Sequence, residues 1–385
     1  MAVNKLADLQ LHNKRVLIRA DLNVPLDGTK ITNDLRIRAS LPTIEFALER
    51  GAGVFLVSHL GRPKLGSNND HLSLEPVAER LRTLLNRPVE LIRDWQSGLD
   101  IDAGEIKLLE NIRFHSGETE NDRDLSRSLA SLCDIYVNDA FGTAHRAHAS
   151  THGVANYVTD ACAGLLLESE IDALERALAN PKRPLVAVLG GSKISGKLEV
   201  LHNLKRVADT LLVGGGMANT FLLAAGKNVG KSLVESELID DAKVIRRSAQ
   251  LPLPVDVMTS ETIDLRSHAF LRLADEIPSH EAIVDIGPET ARRYAKTIAD
   301  AGTVIWNGPM GIFEYPQFAE GTRAVADAIA NTVAFTLAGG GDTVAAIEQF
   351  DISERIDYIS TGGGAFLEFI EGKPLPGVEA LKSDA

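Results

Sequence analysis

The stretch LLLESEIDALERALANPKRPLVAVLGGSKISGK, residues 165–197, carries the plan of the fold. Residues 165–179 space their leucines, isoleucine and alanines at helical intervals, with acids and an arginine between, which predicts a long amphipathic helix. Asn180-Pro181-Lys182-Arg183-Pro184 closes it, because proline has no N–H to donate and stops a helix. The apolar run 185–189 then reads as a buried strand. A glycine- and lysine-rich loop follows at 190–197, and a new helical period occupies 198–208.

The same alternation extends in both directions. Upstream, 14–19, 53–58, 105–109 and 135–138 are strand-like, with helical periods at 36–49 and 122–132. Downstream, strands fit 210–213, 255–258, 282–286, 303–306, 335–338 and 358–360. Helices fit 217–225, 288–301, 318–331 and 343–349. Such alternation predicts a mostly parallel sheet with crossover helices in each half. A chain of 385 residues exceeds one comfortable core, so the 165–179 helix is placed as the bridge between two domains.

Composition narrows the class. Hydrophobic residues make up 44% and charged residues 24%, an ordinary globular balance. No apolar run reaches the ~18 residues of a membrane helix, and the first residues lack a secretory signal. Two cysteines, Cys133 and Cys162, form no CxxC pair, so neither a disulfide framework nor a zinc site is indicated. A cytoplasmic, monomeric protein is the expectation. A net charge of −13 argues against nonspecific nucleic-acid binding. Seven of the ten histidines fall within residues 1–170, which directs attention to the loops there.

Ligands of open parallel sheets collect at the carboxyl ends of the strands. In the first half those positions hold Asp21-Leu22-Asn23, His59-Leu60-Gly61-Arg62, Glu110-Asn111-Ile112-Arg113, and Asp139 through His148 with Arg146; Arg36 opens the first helix. Converging guanidinium groups predict a small polyanion site. Any single arginine could equally solvate a loop or pair with an acid; the set is harder to explain that way. A metal at His145 and His148 is set aside, because Arg146 between them makes a poor neighbour for a cation. The second half carries five glycine clusters: Gly190-Gly191, Gly214–Gly216, Gly308 to Gly311, Gly339–Gly341 and Gly362–Gly364. One alone would be a tight turn; five, two of them with lysine or aspartate, predict a nucleotide phosphate site. Two standard motifs fail. Gly191 to Lys197 fits GxxxxGK, yet Leu198 stands where Ser or Thr must bind metal. Asn219, Val344 and Leu367 replace the third glycine of a dinucleotide fingerprint.

Read together, RADLNVP (19–25), SHLGRPK (58–64), NDAFGTAHRAHAS (138–150), GGSKISGK (190–197), WNGPMGIFE (306–314) and AGGGDT (338–343) closely resemble the phosphoglycerate kinases over nearly the whole chain. The resemblance implies an α/β fold of two doubly wound, parallel-sheet, Rossmann-like domains facing across a cleft. Residues 1–168 would bind 3-phosphoglycerate or 1,3-bisphosphoglycerate, with 366–385 returning to that domain, and 169–365 would bind the nucleotide. By the same resemblance Asp21, Leu22, Asn23, Arg36, His59, Leu60, Gly61, Arg62, Arg113 and Arg146 bind the substrate. Lys197, Glu314, Gly340, Gly341, Asp342 and Thr343 bind ATP or ADP, and Asp342 holds Mg²⁺, although it could instead cap the following helix. Arg36, Lys193 and Lys197 would be catalytic. The implied reaction is the reversible, Mg-dependent phosphoryl transfer of glycolysis and gluconeogenesis, with domains closing about a hinge. The acceptor carboxylate is ionised at neutral pH, so no base is needed. The rivals are a kinase acting on an alcohol, with Asp21 drafted as base, and a nucleotide-binding regulator that lost catalysis; Arg36 and Lys193 speak against the latter.

Overall fold

The computed structural model describes residues 3–64, 66–96 and 98–382. Contacts divide the chain into two compact units: Met1–Asp172 with Pro374–Ala385, and Ala173–Lys373.

The first unit is built on strands β1 (Arg15–Ala20), β2 (Leu26–Asp27), β3 (Lys30–Ile31), β4 (Gly53–Val57), β5 (Glu90–Ile92), β6 (Ile106–Leu109), β7 (Ile135–Asp139) and β8 (Asp160–Ala163). Six of them form one parallel sheet in the order β5-β6-β4-β1-β7-β8, while β2 and β3 make a small hairpin. Both faces of this sheet are covered. That is why Val16, Leu17 and Ile18 are all buried rather than alternating. Helices α1 (Leu35–Glu49), α2 (Glu75–Leu85), α3 (Arg123–Ser131) and α4 (Leu165–Leu178) complete it, and α4 runs through the division between the units. Asp122 starts α3 by accepting from the N–H groups of Asp124 and Leu125. Asp139, at the end of β7, does the same for α4, accepting from Leu166 and Leu167 at 2.9 and 3.2 Å. Burial pushes the Asp139 carboxyl up to about 7. The chain's end is fastened to this unit, with Gly377 donating to the Ala144 carbonyl and Asn138 to that of Gly377.

The second unit contains β9 (Leu185–Leu189), α5 (Leu198–Val207), β10 (Thr210–Val213), α6 (Gly215–Ala224), α7 (Ile239–Ser248), β11 (Asp256–Ser260), β12 (Phe270–Leu273), β13 (Ala282–Ile286), α8 (Pro288–Ala299), β14 (Thr303–Asn307), α9 (Glu320–Asn331), β15 (Phe335–Gly339), α10 (Gly341–Gln349), β16 (Tyr358–Ser360) and α11 (Gly364–Ile370). Its parallel sheet runs β10-β9-β14-β15-β16. The mostly parallel expectation holds for this sheet, and the exceptions are the strands at 255–258 and 282–286. Those strands lie antiparallel in a separate sheet, β12-β11-β13. Short apolar runs carry no mark of strand direction, so the sequence left this undecided. Helix α11 stays with the second unit because the Asn203 amide bonds the Ile370 carbonyl at 2.8 Å and Lys373 pairs with Glu199. Among the described residues, no helix is long and apolar enough to cross a membrane.

Candidate active site

In the first unit, the strand order places β7 and β4 on opposite sides of β1, and loops from these strands' carboxyl ends gather the expected residues. Arg62, Arg113, His115, Arg146 and His148 line one cavity of about 390 Å³. Arg113 donates to the Gly61 carbonyl at 2.6 Å, yet its Nε is buried with no hydrogen-bond partner in the protein. Burial, then the charges of Arg146 and Arg19, push the Arg113 guanidinium down to about 10. His148 is pushed down to about 4 by burial and then Arg113 and Arg146. These groups stay charged and neutral respectively at pH 7. Together they form a site with excess positive potential and an unused donor, which is the electrostatic signature of a place for an anion.

Asn23 holds the Gly61 N–H with its side-chain oxygen at 2.9 Å, tying two of the loops together. Arg36, second residue of α1, donates to the Asn23 carbonyl at 3.0 Å and pairs with Asp21 at 3.2 Å. Leu22 and Leu60 bury their side chains, and their N–H groups are taken by Ser58 and Asn111.

His59 depends on an arginine that sequence reading left outside the site. Arg19 is buried in β1 and donates to His59 Nδ1 at 3.1 Å. A guanidinium can only donate, so Nδ1 accepts and the ring's proton sits on Nε2. Burial, followed by Arg19 and Arg113, holds His59 well below the usual histidine range, which keeps it neutral. Arg19 also donates to Ser150 Oγ at 2.9 Å, and that hydroxyl donates to the buried Glu118 at 2.7 Å. Glu118, Ser150 and Arg19 therefore fix the ring from behind. The available signal was a charge inside the apolar run VLIRA, where an unpaired arginine could not be buried.

A cavity of about 690 Å³ lies apart from these loops between the β2–β3 hairpin and helices α1 and α2. Its Arg38 and Arg80 both pair with Asp34, so each guanidinium already has a carboxylate partner.

In the second unit, β9 and β14 are neighbours where the strand order reverses. Lys197 reaches that point and donates to the carbonyls of Gly190 and Asn307, each at 2.6 Å. Burial pushes its ammonium down to about 8, against a smaller upward pull from Asp342. Lys193 is exposed on the same loop. A cavity of about 620 Å³ opens beside them, walled by Gly191, Gly215, Leu233, Ile283, Glu314 and Asp342 among others.

The glycine clusters have mixed causes. A Cβ on Gly190 would sit 1.8 Å from the Pro309 carbonyl oxygen, so that glycine lets backbones pack together. Gly341 faces open space, while Gly340 adopts φ +98°, which L-residues avoid. This turn puts the start of α10 at the cavity's edge. Asp342 lies inside α10; Gly340 holds the N-cap position, and no side chain caps it. The capping alternative for Asp342 is thereby corrected. Thr343 is buried, and its hydroxyl accepts from the Gly308 N–H at 2.8 Å.

Two doubly wound α/β units, one offering a cationic pocket and the other a lysine–glycine loop at its switch point, define a protein equipped for phosphorylated small molecules. The chain matches the family profile of phosphoglycerate kinase over residues 6–373. It is similar to phosphoglycerate kinase from Coxiella burnetii, with 51% identity, a TM-score of 0.96 and 99% of each chain covered. It also resembles the enzyme from Pyrococcus horikoshii OT3, at 35% identity, TM-score 0.81 and 98% of each chain. The chain belongs to the phosphoglycerate kinase family and is a phosphotransferase with a carboxyl group as acceptor.

Proposed function

We propose that the first unit binds 3-phosphoglycerate or 1,3-bisphosphoglycerate and the second binds MgATP or MgADP, in the cytoplasm and as a monomer. The mutually repelling cluster of Arg62, Arg113 and Arg146 around one cavity carries this reading, since a bound anion relieves both the repulsion and the unused Arg113 donor. His59 presents Nε2–H, while Asp21, Asn23 and the Leu22, Leu60 and Gly61 backbone shape the loops.

Arg36 is assigned to the acceptor carboxylate and the moving phosphoryl group, with Lys193 meeting that group from the nucleotide side. Lys197 exchanges its two carbonyl partners for phosphate oxygens. Glu314 and the 340–343 turn hold the nucleotide. Because the nucleophile is already ionised, what remains is positioning and charge neutralisation. Mg²⁺ fits Asp342: one exposed carboxylate, completed by phosphate oxygens and water, is a donor set this hard cation accepts. The ion would neutralise charge between the phosphates. Transfer between ligands held on different units requires closure during turnover, with α4 and the 366–385 segment as candidate hinges.

The test is a coupled assay. ADP should form from MgATP only when 3-phosphoglycerate is added. Comparable turnover with glycerate, which lacks the phosphate, defeats the role given to the arginine cluster.

A further inference from the structure

We propose that Glu235 is a positioning residue for Lys193, holding the 190–197 loop so that this lysine meets the moving phosphoryl group. The inference rests on the role given to Lys193 above. Glu235 lies between α6 and α7 and is buried. Its Oε2 accepts from the Ser195 N–H at 2.9 Å, and its Oε1 accepts from the Ser195 hydroxyl at 2.5 Å. Both carboxylate oxygens thus grip one residue of the loop, two positions beyond Lys193. The grip is itself anchored, because the Glu235 N–H donates to Thr220 Oγ1 of α6 at 3.2 Å. Burial pulls the Glu235 carboxyl up, but the Ser195 bonds and then the charge of Lys193 hold it below its ordinary value. It is therefore ionised at pH 7.

An ionised carboxylate next to a phosphate-binding loop opposes the loop's own ligand, so its presence calls for a task. Lys193 supplies one. It is exposed, and among the described residues its ammonium has no hydrogen bond or salt bridge to steady a flexible four-carbon stem. Gly190, Gly191 and Gly196 loosen the backbone on both sides of it. Gly196 faces open space and has no positive φ, so nothing in its surroundings requires a glycine there. Side chains fasten this loop at two places. One is Lys197, on the carbonyls of Gly190 and Asn307; the other is Ser195, on Glu235. When Lys197 turns to the nucleotide, its hold is given up and that of Glu235 remains. Only the buried Ile194 separates Ser195 from Lys193, so a hold on Ser195 fixes the backbone from which the lysine departs. A displacement of about 1 Å at a reacting group can cost on the order of 10²-fold in rate.

The experiment is a double-mutant cycle on the full chain, with kcat and KM read in the assay with MgATP and 3-phosphoglycerate. Lys193→Ala should lower kcat on the order of 10²-fold. Glu235→Gln, equal in size but with one acceptor in place of two, should lower kcat about tenfold and leave both KM values within about twofold. In the Lys193→Ala background the same change should cost less than about twofold. Ser195→Ala removes only the hydroxyl bond, at an exposed position, and should lower kcat up to about fivefold, again only while Lys193 is present. It carries the same test if Glu235→Gln does not fold. An unchanged kcat in Glu235→Gln overturns the proposal. So does a fall that persists in full without Lys193, which would make Glu235 a general brace of the unit, and so does a loss confined to the KM for MgATP. Each of these results, beside a slow Lys193→Ala, leaves the role of Lys193 standing. A Lys193→Ala protein with full kcat overturns that role instead, and the inference falls with it.

Discussion

The two units share a winding but present opposite means of holding an anion. In the first, loops after β4, β6 and β7 converge the side-chain cations Arg62, Arg113 and Arg146, which destabilise one another, with Arg113 pushed down to about 10. In the second, loops after β9, β14 and β15 offer backbone and the half-buried ammonium of Lys197, pushed down to about 8. Forked guanidinium groups can match the two ends of a small, doubly charged molecule. A backbone cradle suits a polyphosphate whose shape repeats and whose base is gripped elsewhere. Similar topology thus fixes where a ligand binds, while residue type at the strand ends decides which.

The comparison breaks most sharply at Arg36. If its charge is used chiefly in the transition state, Arg36→Ala should lower kcat on the order of 10²–10³ with little change in KM. Arg38, which pairs with Asp34, is the control and should cost less than about twofold. A raised KM with unchanged kcat in Arg36→Ala would make it a ground-state anchor like Arg113.

Asp342→Asn should be the next largest effect. Losing the carboxylate should reduce kcat/KM for MgATP by about 10–100-fold, a charged contact's worth. The 3-phosphoglycerate Kd should stay within about twofold. Calorimetry showing equal losses at both sites would end the assignment of the two ligands to separate units.

Much of this was legible in the chain. The strands at 185–189, 210–213, 282–286 and 358–360 have the bounds read from sequence, because glycine, proline or polar residues punctuate both ends. Strands β5 and β8 were not read: Glu90–Ile92 is a short, half-exposed edge, and Asp160–Ala163 is rich in small residues with weak strand preference. Helices α2 and α7 were also passed over, although Pro76 at the start of α2 is a favourable first-turn residue. In the site, the loop arginines and glycines announced themselves by position. Arg19, Ser150 and Glu118 did not, because their meaning lies in partners 131 or 32 residues away.

The difference in cation chemistry also predicts a pH split. Lys197 has a lowered pKa, so it loses its charge as pH rises through about 8. ADP affinity should therefore fall up to about tenfold between pH 7 and 9, one proton's worth. The arginine site stays charged across that window, since Arg113 titrates near 10 and His148 near 4. Binding of 3-phosphoglycerate should be flat. Lys197→Arg should flatten the ADP profile; a profile unchanged in that variant would place the titrating group elsewhere.

The smallest expected effect tests whether the cationic site needs its backing. Ser150 is buried and links Glu118 to Arg19, which in turn holds His59 Nδ1. Ser150→Ala removes one hydrogen bond on each side and leaves Arg19 free to shift, a loss of about 1 kcal/mol, or roughly fivefold. If the relay orients His59, that loss should appear as a raised KM for 3-phosphoglycerate, with kcat and the KM for MgATP unchanged. A general loosening of the unit would instead lower thermal stability and leave the KM where it was. Histidine nitrogen shifts in an NMR spectrum supply the second reading: His59 should report a single Nε2–H tautomer in the wild type and a mixture in Ser150→Ala. A unique tautomer in both proteins, together with an unchanged KM, would mean that Arg19 alone positions the ring and that Glu118 and Ser150 serve only to bury its charge.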